Sequence, residues 1–212
     1  MKTQLGYIPL LFGLLVVLVA QPSTAQTLEI VTELGTFELE LYPEKAPQTV
    51  ANFLRYVDSG LLKDTSFYRT VTVHPDNQVT SPVKIEVIQG GWKRFDDPRP
   101  FPDISLETTR TTGVKHLDGT ISMARDKPNS ASSEFFICVG HQPELDFGGR
   151  RNPDGQGFAA YGRVTQGRRI VRSIHRSHNI DQTLTPPIRI FNIRRKPGSW
   201  FFQKTHLDHK EP

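Results

Sequence analysis

Residues 119–138, GTISMARDKPNSASSEFFIC, decide how the rest of the chain is read. Two short apolar runs, 121–124 and 135–138, flank a polar connection that carries Pro128, Asn129 and several serines. β-capable residues on either side of turn formers predict two strands joined by an ordered loop. Upstream, Leu28, Ile30 and Thr32 alternate with their neighbours, as do Phe37, Leu39 and Leu41, with Leu34-Gly35 between them as a turn. That pattern predicts a hairpin with one face toward a core. Val50, Phe53, Leu54 and Val57 then fall at i, i+3, i+4 and i+7, which predicts a helix begun near Pro47 and stopped near Gly60. Residues 70–84, with His74-Pro75-Asp76-Asn77, read as an inserted loop. Downstream, 159–164 reads as a strand, 167–175 as a second amphipathic helix, and 188–193 as a closing strand. These periods alone do not choose between a barrel and a sandwich.

At 212 residues the chain suits one domain plus its ends. Sixteen Gly, 16 Pro and 13 Phe describe a loop-rich globular protein. The net charge of +4 comes from scattered basic residues clustered only at 150–151, 168–169 and 194–196. A solvated basic surface outweighs nucleic-acid binding on that distribution. Cys138 has no second cysteine to pair with and lies in an apolar run, so it reads as a buried thiol. His175 with His178, and His206 with His209, lack acidic or thiol companions at metal-ligand spacing, so neither a metal nor another cofactor is expected. The Gly-rich 147–157 lacks the context and the Lys-Ser/Thr ending of a phosphate loop.

Residues 1–25 read as a secretory leader: Lys2, an apolar run at 10–20, Pro22, then the small residues Ser23, Thr24 and Ala25, with cleavage expected after Ala25. The run is short for a ~30 Å hydrocarbon core, which sets aside an uncleaved anchor. The expected location is the periplasm or the exterior, with no membrane contact after cleavage.

Several motifs together carry a resemblance. Met123-Ala124, Pro128-Asn129-Ser130 and the Ser-x-Phe-Phe-Ile ending resemble the signature segment of the cyclophilins, the cyclosporin-binding peptidyl-prolyl cis/trans isomerases. Arg125 after Ala124 is most similar to the bacterial periplasmic branch, and the Ile-x-x-Glu stretch at 104–107 resembles one of the bacterial form. Other segments resemble the family in its own order: Ala46-Pro47 leading to Asn52-Phe53, Phe67 to Arg69 with Tyr68 for the usual His, Gln89-Gly90-Gly91, Leu145-Asp146, and Tyr161-Gly162-Arg163-Val164. The resemblance covers 28–195. It implies a mainly β fold, a closed eight-stranded antiparallel β-barrel capped by two α-helices, occupying 26–195. A polar tail, 196–212, would follow, its Trp200, Phe201 and Phe202 covering a barrel end.

The same resemblance implies a monomeric, cofactor-free isomerase acting on proline-containing polypeptides. Arg69 matches the catalytic arginine and Gln89 the glutamine that orients it. Val87, Phe136 and Leu145 match the proline pocket, with Val87 in place of Met. Ala124 and Arg125 match the segment whose backbone pairs with the peptide, which leaves the Arg125 side chain free to vary. Four positions depart from the pattern. Counted back from Gln89, Glu86 stands where a pocket Phe is usual. Glu134 replaces a Gln that contacts the peptide, and Phe158 stands where eukaryotic members have His. Glu144 stands where Trp or a bulky apolar residue contacts cyclosporin, so weak cyclosporin binding is expected. These acidic departures support one rival, a non-catalytic module that only holds proline-containing segments. The arginines at 150, 151, 168 and 169 support another, a barrel that binds polyanions.

Overall fold

Leu28, Ile30, Phe37, Leu39 and Leu41 are all buried, as their alternation predicts, on two strands of a closed antiparallel barrel. The structure, a computed structural model, describes residues 26–92 and 100–196. The expected leader and the aromatic tail, with Trp200, Phe201 and Phe202, lie outside the described residues. In chain order the elements are β1 (Gln26–Thr32), β2 (Gly35–Leu41), α1 (Pro47–Asp58), β3 (Thr65–Val71), β4 (Val87–Gly91), α2 (Thr109–Thr112), β5 (Thr120–Met123) and β6 (Glu134–Cys138). A 3₁₀ turn at Pro143–Leu145 is followed by β7 (Ala159–Gln166), α3 (Arg168–His175), β8 (Asn179–Ile180) and β9 (Thr183–Arg195).

The sheet runs β1-β2-β7-β5-β6-β4-β3-β9, and β9 pairs back onto β1 to close eight strands into a barrel. The two-residue β8 is an extra strand added to β9 by a tight turn. Helices α1 and α3 are the two expected caps, and α2 is a single additional turn. Inside, Phe53 of α1 meets Phe135 edge-on at 5.4 Å and Tyr161 at 5.3 Å, so the first helix plugs the barrel through one aromatic cluster.

Local differences from the sequence reading have physical reasons. The hairpin turn is Glu33-Leu34, because Gly35 already pairs with Thr32. Helix α1 has Ala46 at its N-cap, which offers no side-chain acceptor. A distant carboxylate supplies one: Glu107 accepts from the Gln48 and Thr49 N–H groups at 3.1 and 2.8 Å. That gives the Ile-x-x-Glu stretch a structural purpose, an anion at a helix N-terminus. The inserted loop begins later than expected, since Thr70 and Val71 still belong to β3. Gln89-Gly90-Gly91 is tight for a reason: a Cβ at Gly90 would stand 2.7 Å from the Ser66 carbonyl oxygen, and Gly91 has φ +130°.

Candidate active site

One cross-strand row carries both expected catalytic residues and the Phe136 of the expected pocket. Arg69 of β3 pairs with Gln89 of β4, Gln89 with Phe136 of β6, and Phe136 with Ser122 of β5. Residues directly opposite one another in a sheet stand about 5 Å apart, so the register alone brings a guanidinium, an amide and a phenyl ring together on one outer face. The next row, Val71, Val87 and Cys138, continues that face.

Arg69 reaches this face through a bulge. Phe67 pairs with Gly90 and Arg69 with Gln89, so Tyr68 is an extra residue within a single step of β4. Phe67 is buried inside the barrel. Strict alternation would turn Tyr68 outward and Arg69 back inward. One inserted residue shifts Arg69 to the outer face beside Tyr68.

The guanidinium is then held from two sides. Its Nη1 donates to Gln89 Oε1 at 2.8 Å, while Nε and Nη2 both donate to Gln182 Oε1 at 2.9 and 2.6 Å. Gln89 passes the network on, donating from Nε2 to the Tyr68 hydroxyl at 2.9 Å and to Glu134 Oε2 at 3.2 Å. Burial lowers the Arg69 proton affinity from the ordinary arginine value, and the nearby Glu134 carboxylate opposes that. Burial, reinforced by the Glu134 carboxylate, pushes the Tyr68 phenol well above its usual value, so it stays protonated. Gln182 is absent from the residues that the sequence points to. It sits in the β8–β9 turn, where Asp181 and Gln182 both have positive φ, and a two-residue turn between strands is the only signal that could have found it.

A cavity of about 650 Å³ lies over the row and is lined by every expected site residue: Arg69, Gln89, Val87, Ala124, Arg125, Glu134, Phe136, Leu145 and Phe158. Its apolar end packs Val87, Phe136 and Leu145 with Ile85, Ala124 and Phe158. Phe136 meets Phe158 edge-on at 5.2 Å and stacks on His116 at 5.9 Å. His116 is fully buried and neutral, because burial lowers its pKa more than Asp146 restores it. Its Nδ1 donates to Asp146 Oδ1 at 2.8 Å, which leaves Nε2 to accept from Ser122 at 3.0 Å. Cys138, fully buried behind the pocket, has its thiol pKa raised by burial, as an inert thiol should.

Three expectations need correction. Glu86 does not occupy the pocket. Ile85, and not Glu86, lines the cavity beside Val87 and Gln89. Glu144 is not on the groove wall either; its carboxylate accepts from Arg150 at 2.8 and 2.9 Å, which lowers its pKa. The Arg125 side chain is built in rather than free to vary. It is 1% exposed, donates to Asp154 at 2.7 and 2.9 Å and to the Gly157 carbonyl at 2.8 Å, and lies over the Phe158 ring.

The inserted loop braces the wall from behind, through Ile85 and Arg151, which line the cavity. Buried Gln78 bridges its base, donating to the Thr72 and Ile85 carbonyls at 3.1 and 2.7 Å. Arg151 crosses from the Gly-rich loop to donate to Ser81 and to the Val83 carbonyl at 2.6 and 2.7 Å. A second cavity, of about 930 Å³, lies on the other side of Arg69 and is bordered by Tyr68, Trp92 and Gln182. Among the described residues no cluster of three or more His, Cys, Asp or Glu could hold a metal ion.

Known proteins share this arrangement of sequence and fold. The family profile described as cyclophilin type peptidyl-prolyl cis-trans isomerase/CLD matches residues 27–195. Peptidyl-prolyl cis-trans isomerase cyp18 of Streptomyces antibioticus is 34% identical over 149 residues, 70% of this chain and 82% of that protein. Peptidyl-prolyl cis-trans isomerase A of Dickeya dadantii is 32% identical over 153 residues, 72% of each. A Cryptosporidium parvum cyclophilin type isomerase, solved in the presence of the dipeptide Ala-Pro, superposes with a TM-score of 0.65 at 22% identity over 82% of this chain and all of that one, a likeness of fold. The profile match over most of the chain, together with these relatives, makes the protein a member of the cyclophilin-type peptidyl-prolyl cis-trans isomerase family.

Proposed function

We propose that this isomerase seats the prolyl ring of an extended polypeptide against Val87, Phe136, Leu145 and Phe158, and that Arg69 acts on the adjoining amide. An X–Pro bond turns slowly because its resonance must be broken, at a cost of ~18–20 kcal/mol. A protein lowers that barrier by binding the twisted amide better than the planar one. A guanidinium is suited to this, being permanently charged and able to donate to the prolyl nitrogen or carbonyl oxygen as conjugation is lost. The observation that carries this reading is the guanidinium fixed between two amide oxygens on the same cross-strand row as Phe136. Gln89 orients it, and the segment of Ala124 and Arg125 offers the edge along which the peptide lies. Glu134 adds a carboxylate where the family's pattern has an amide.

The setting we infer is the periplasmic branch of the family, with a leader removed after Ala25 and newly exported proteins as clients. The working form is a monomer without cofactor, and nucleic acid is not a partner. Cyclosporin binds weakly, because Glu144 is engaged by Arg150 and contributes no apolar contact to the groove. The test is cis/trans exchange of Ala-Pro peptides by NMR, with residues 26–212 and their Arg69→Ala variant side by side. Acceleration should fall about 100-fold or more in the variant. Peptide binding without exchange in the parent protein would overturn the reading and leave a recognition module.

A further inference from the structure

We propose that Gln182 is a positioning residue for Arg69, and that the loop inserted between β3 and β4 sets Gln182 through Asn77. The proposal rests on the reading of Arg69 as the catalytic group. Arginine has five N–H donors and no acceptor. Gln182 Oε1 takes the Nε–H and one Nη2–H, and Gln89 Oε1 takes one Nη1–H. Among the described residues that leaves one N–H on Nη1 and one on Nη2. Two glutamines therefore decide which donors face the substrate and in what plane. A group aimed before reaction needs no reorganisation when the amide twists.

The orientation of Gln182 is itself determined. Because arginine only donates, the Gln182 oxygen must face it, and its Nε2 must point the other way, where it donates to the Asn77 carbonyl at 2.9 Å. Asn77 belongs to the inserted loop and is pinned by its own side chain. Its Oδ1 accepts from Thr72 N–H at 2.9 Å, and its Nδ2 donates to the Thr70 carbonyl at 3.0 Å and to Asn179 Oδ1 at 2.8 Å. The Gln182 carbonyl in turn accepts from Thr70 N–H at 2.9 Å. Strand β3, the inserted loop and the β8–β9 turn thus converge on one side chain, next to the residue it aims. The insertion acts as a strut for the catalytic arginine.

The experiment compares Gln182→Asn, Gln182→Gly, Gln182→Glu, Asn77→Ala and Arg69→Lys, measuring kcat and KM from NMR line shapes on an Ala-Pro peptide. Asn and Gly both tolerate the positive φ at this turn, so neither strains the backbone, and the main-chain bond to Thr70 survives. The shortened Gln182→Asn and Gln182→Gly should lose about tenfold in kcat with KM within about twofold. Gln182→Glu, which still accepts both arginine N–H groups but no longer donates to the Asn77 carbonyl, should recover only part of that loss. Asn77→Ala should show a smaller fall in kcat. The Arg69 Nε–H resonance should exchange with water faster in the two shortened variants. A normal kcat in Gln182→Asn and Gln182→Gly, while Arg69→Lys is crippled, would overturn the inference and leave the role of Arg69 standing. A normal kcat in Arg69→Lys would remove the reading beneath it. Loss in Gln182→Asn added in full on top of Arg69→Lys in the double variant would also overturn it, because a residue acting only through Arg69 has nothing left to position.

Discussion

The two sides of the groove are built differently. The apolar side is regular sheet: Val87 and Phe136 sit at consecutive outward positions of β4 and β6, and Leu145 and Phe158 close on them from the adjoining loop. The polar side depends on irregular backbone: a bulge turns Arg69 outward, a turn with two positive-φ residues presents Gln182, and an inserted loop braces both. The apolar side follows from the same packing that makes the barrel. The polar side is an addition to the barrel, and small local changes in backbone geometry decide whether it exists. Stability should therefore be concentrated on one side and turnover on the other.

That contrast can be broken by experiment. The largest expected effect is Phe136→Ala, which empties a site 5% exposed between His116 and Phe158. It should cost about 3–5 kcal/mol in urea unfolding and raise KM as well; a loss of turnover with stability intact would erase the distinction. Next is Arg125→Ala, which cuts the buried tie between the signature segment and the Gly-rich loop. Calorimetry should show a loss of roughly 2–3 kcal/mol, below the range for fully buried pairs because Asp154 keeps some solvent. Glu134→Gln belongs to the polar side. It should leave the melting temperature unchanged and raise kcat/KM about threefold, under ~1 kcal/mol, by removing a charge that offsets Arg69; a drop in stability would place Glu134 among the structural residues.

The smallest effect concerns pH. His116 and His175 are both held below the ordinary histidine value of 6.5, chiefly by burial. The unfolded chain therefore takes up protons first as pH falls through about 6.5, and stability declines from there until the folded histidines titrate. Melts at pH 7.5, 6.5 and 5.5 should show a falling midpoint, and a flat profile would contradict the buried neutral histidines.

Much of the barrel interior could be read from residues alone, whereas the pocket residues Val87, Phe136 and Leu145 were picked out by matching motifs. Phe67, Phe135 and Phe37 are buried on strands, and α1 shows its stripe at Val50, Phe53, Leu54 and Val57. The barrel itself, rather than a sandwich, came from resemblance, because alternation says which face is buried and nothing of which strands meet. The polar side was legible only by matching motifs. On alternation, Arg69 would face inward beside Phe67, and no residue type announces the bulge that reverses it. Gln182 was invisible for a related reason: neither Asp181 nor Gln182 is the glycine that usually marks positive φ. Glu86 was misplaced because counting back from Gln89 fixed its number in the chain and not its direction, and the neighbouring Ile85 is the residue that lines the cavity.

The pairing of β1 with β9 has a kinetic consequence. Leu28 meets Arg195 and Ile30 meets Ile193, so the barrel closes between its first strand and its last. A chain made from its N-terminus has β1 available early, with one edge unsatisfied until β9 arrives. Contacts of such long sequence separation are entropically costly and form late, and an open strand edge invites pairing with other chains. Strand β9 also flanks β3, so the same late strand completes the row that bears Arg69. The barrel of this isomerase is thus left open along β1 until its last strand, β9, arrives.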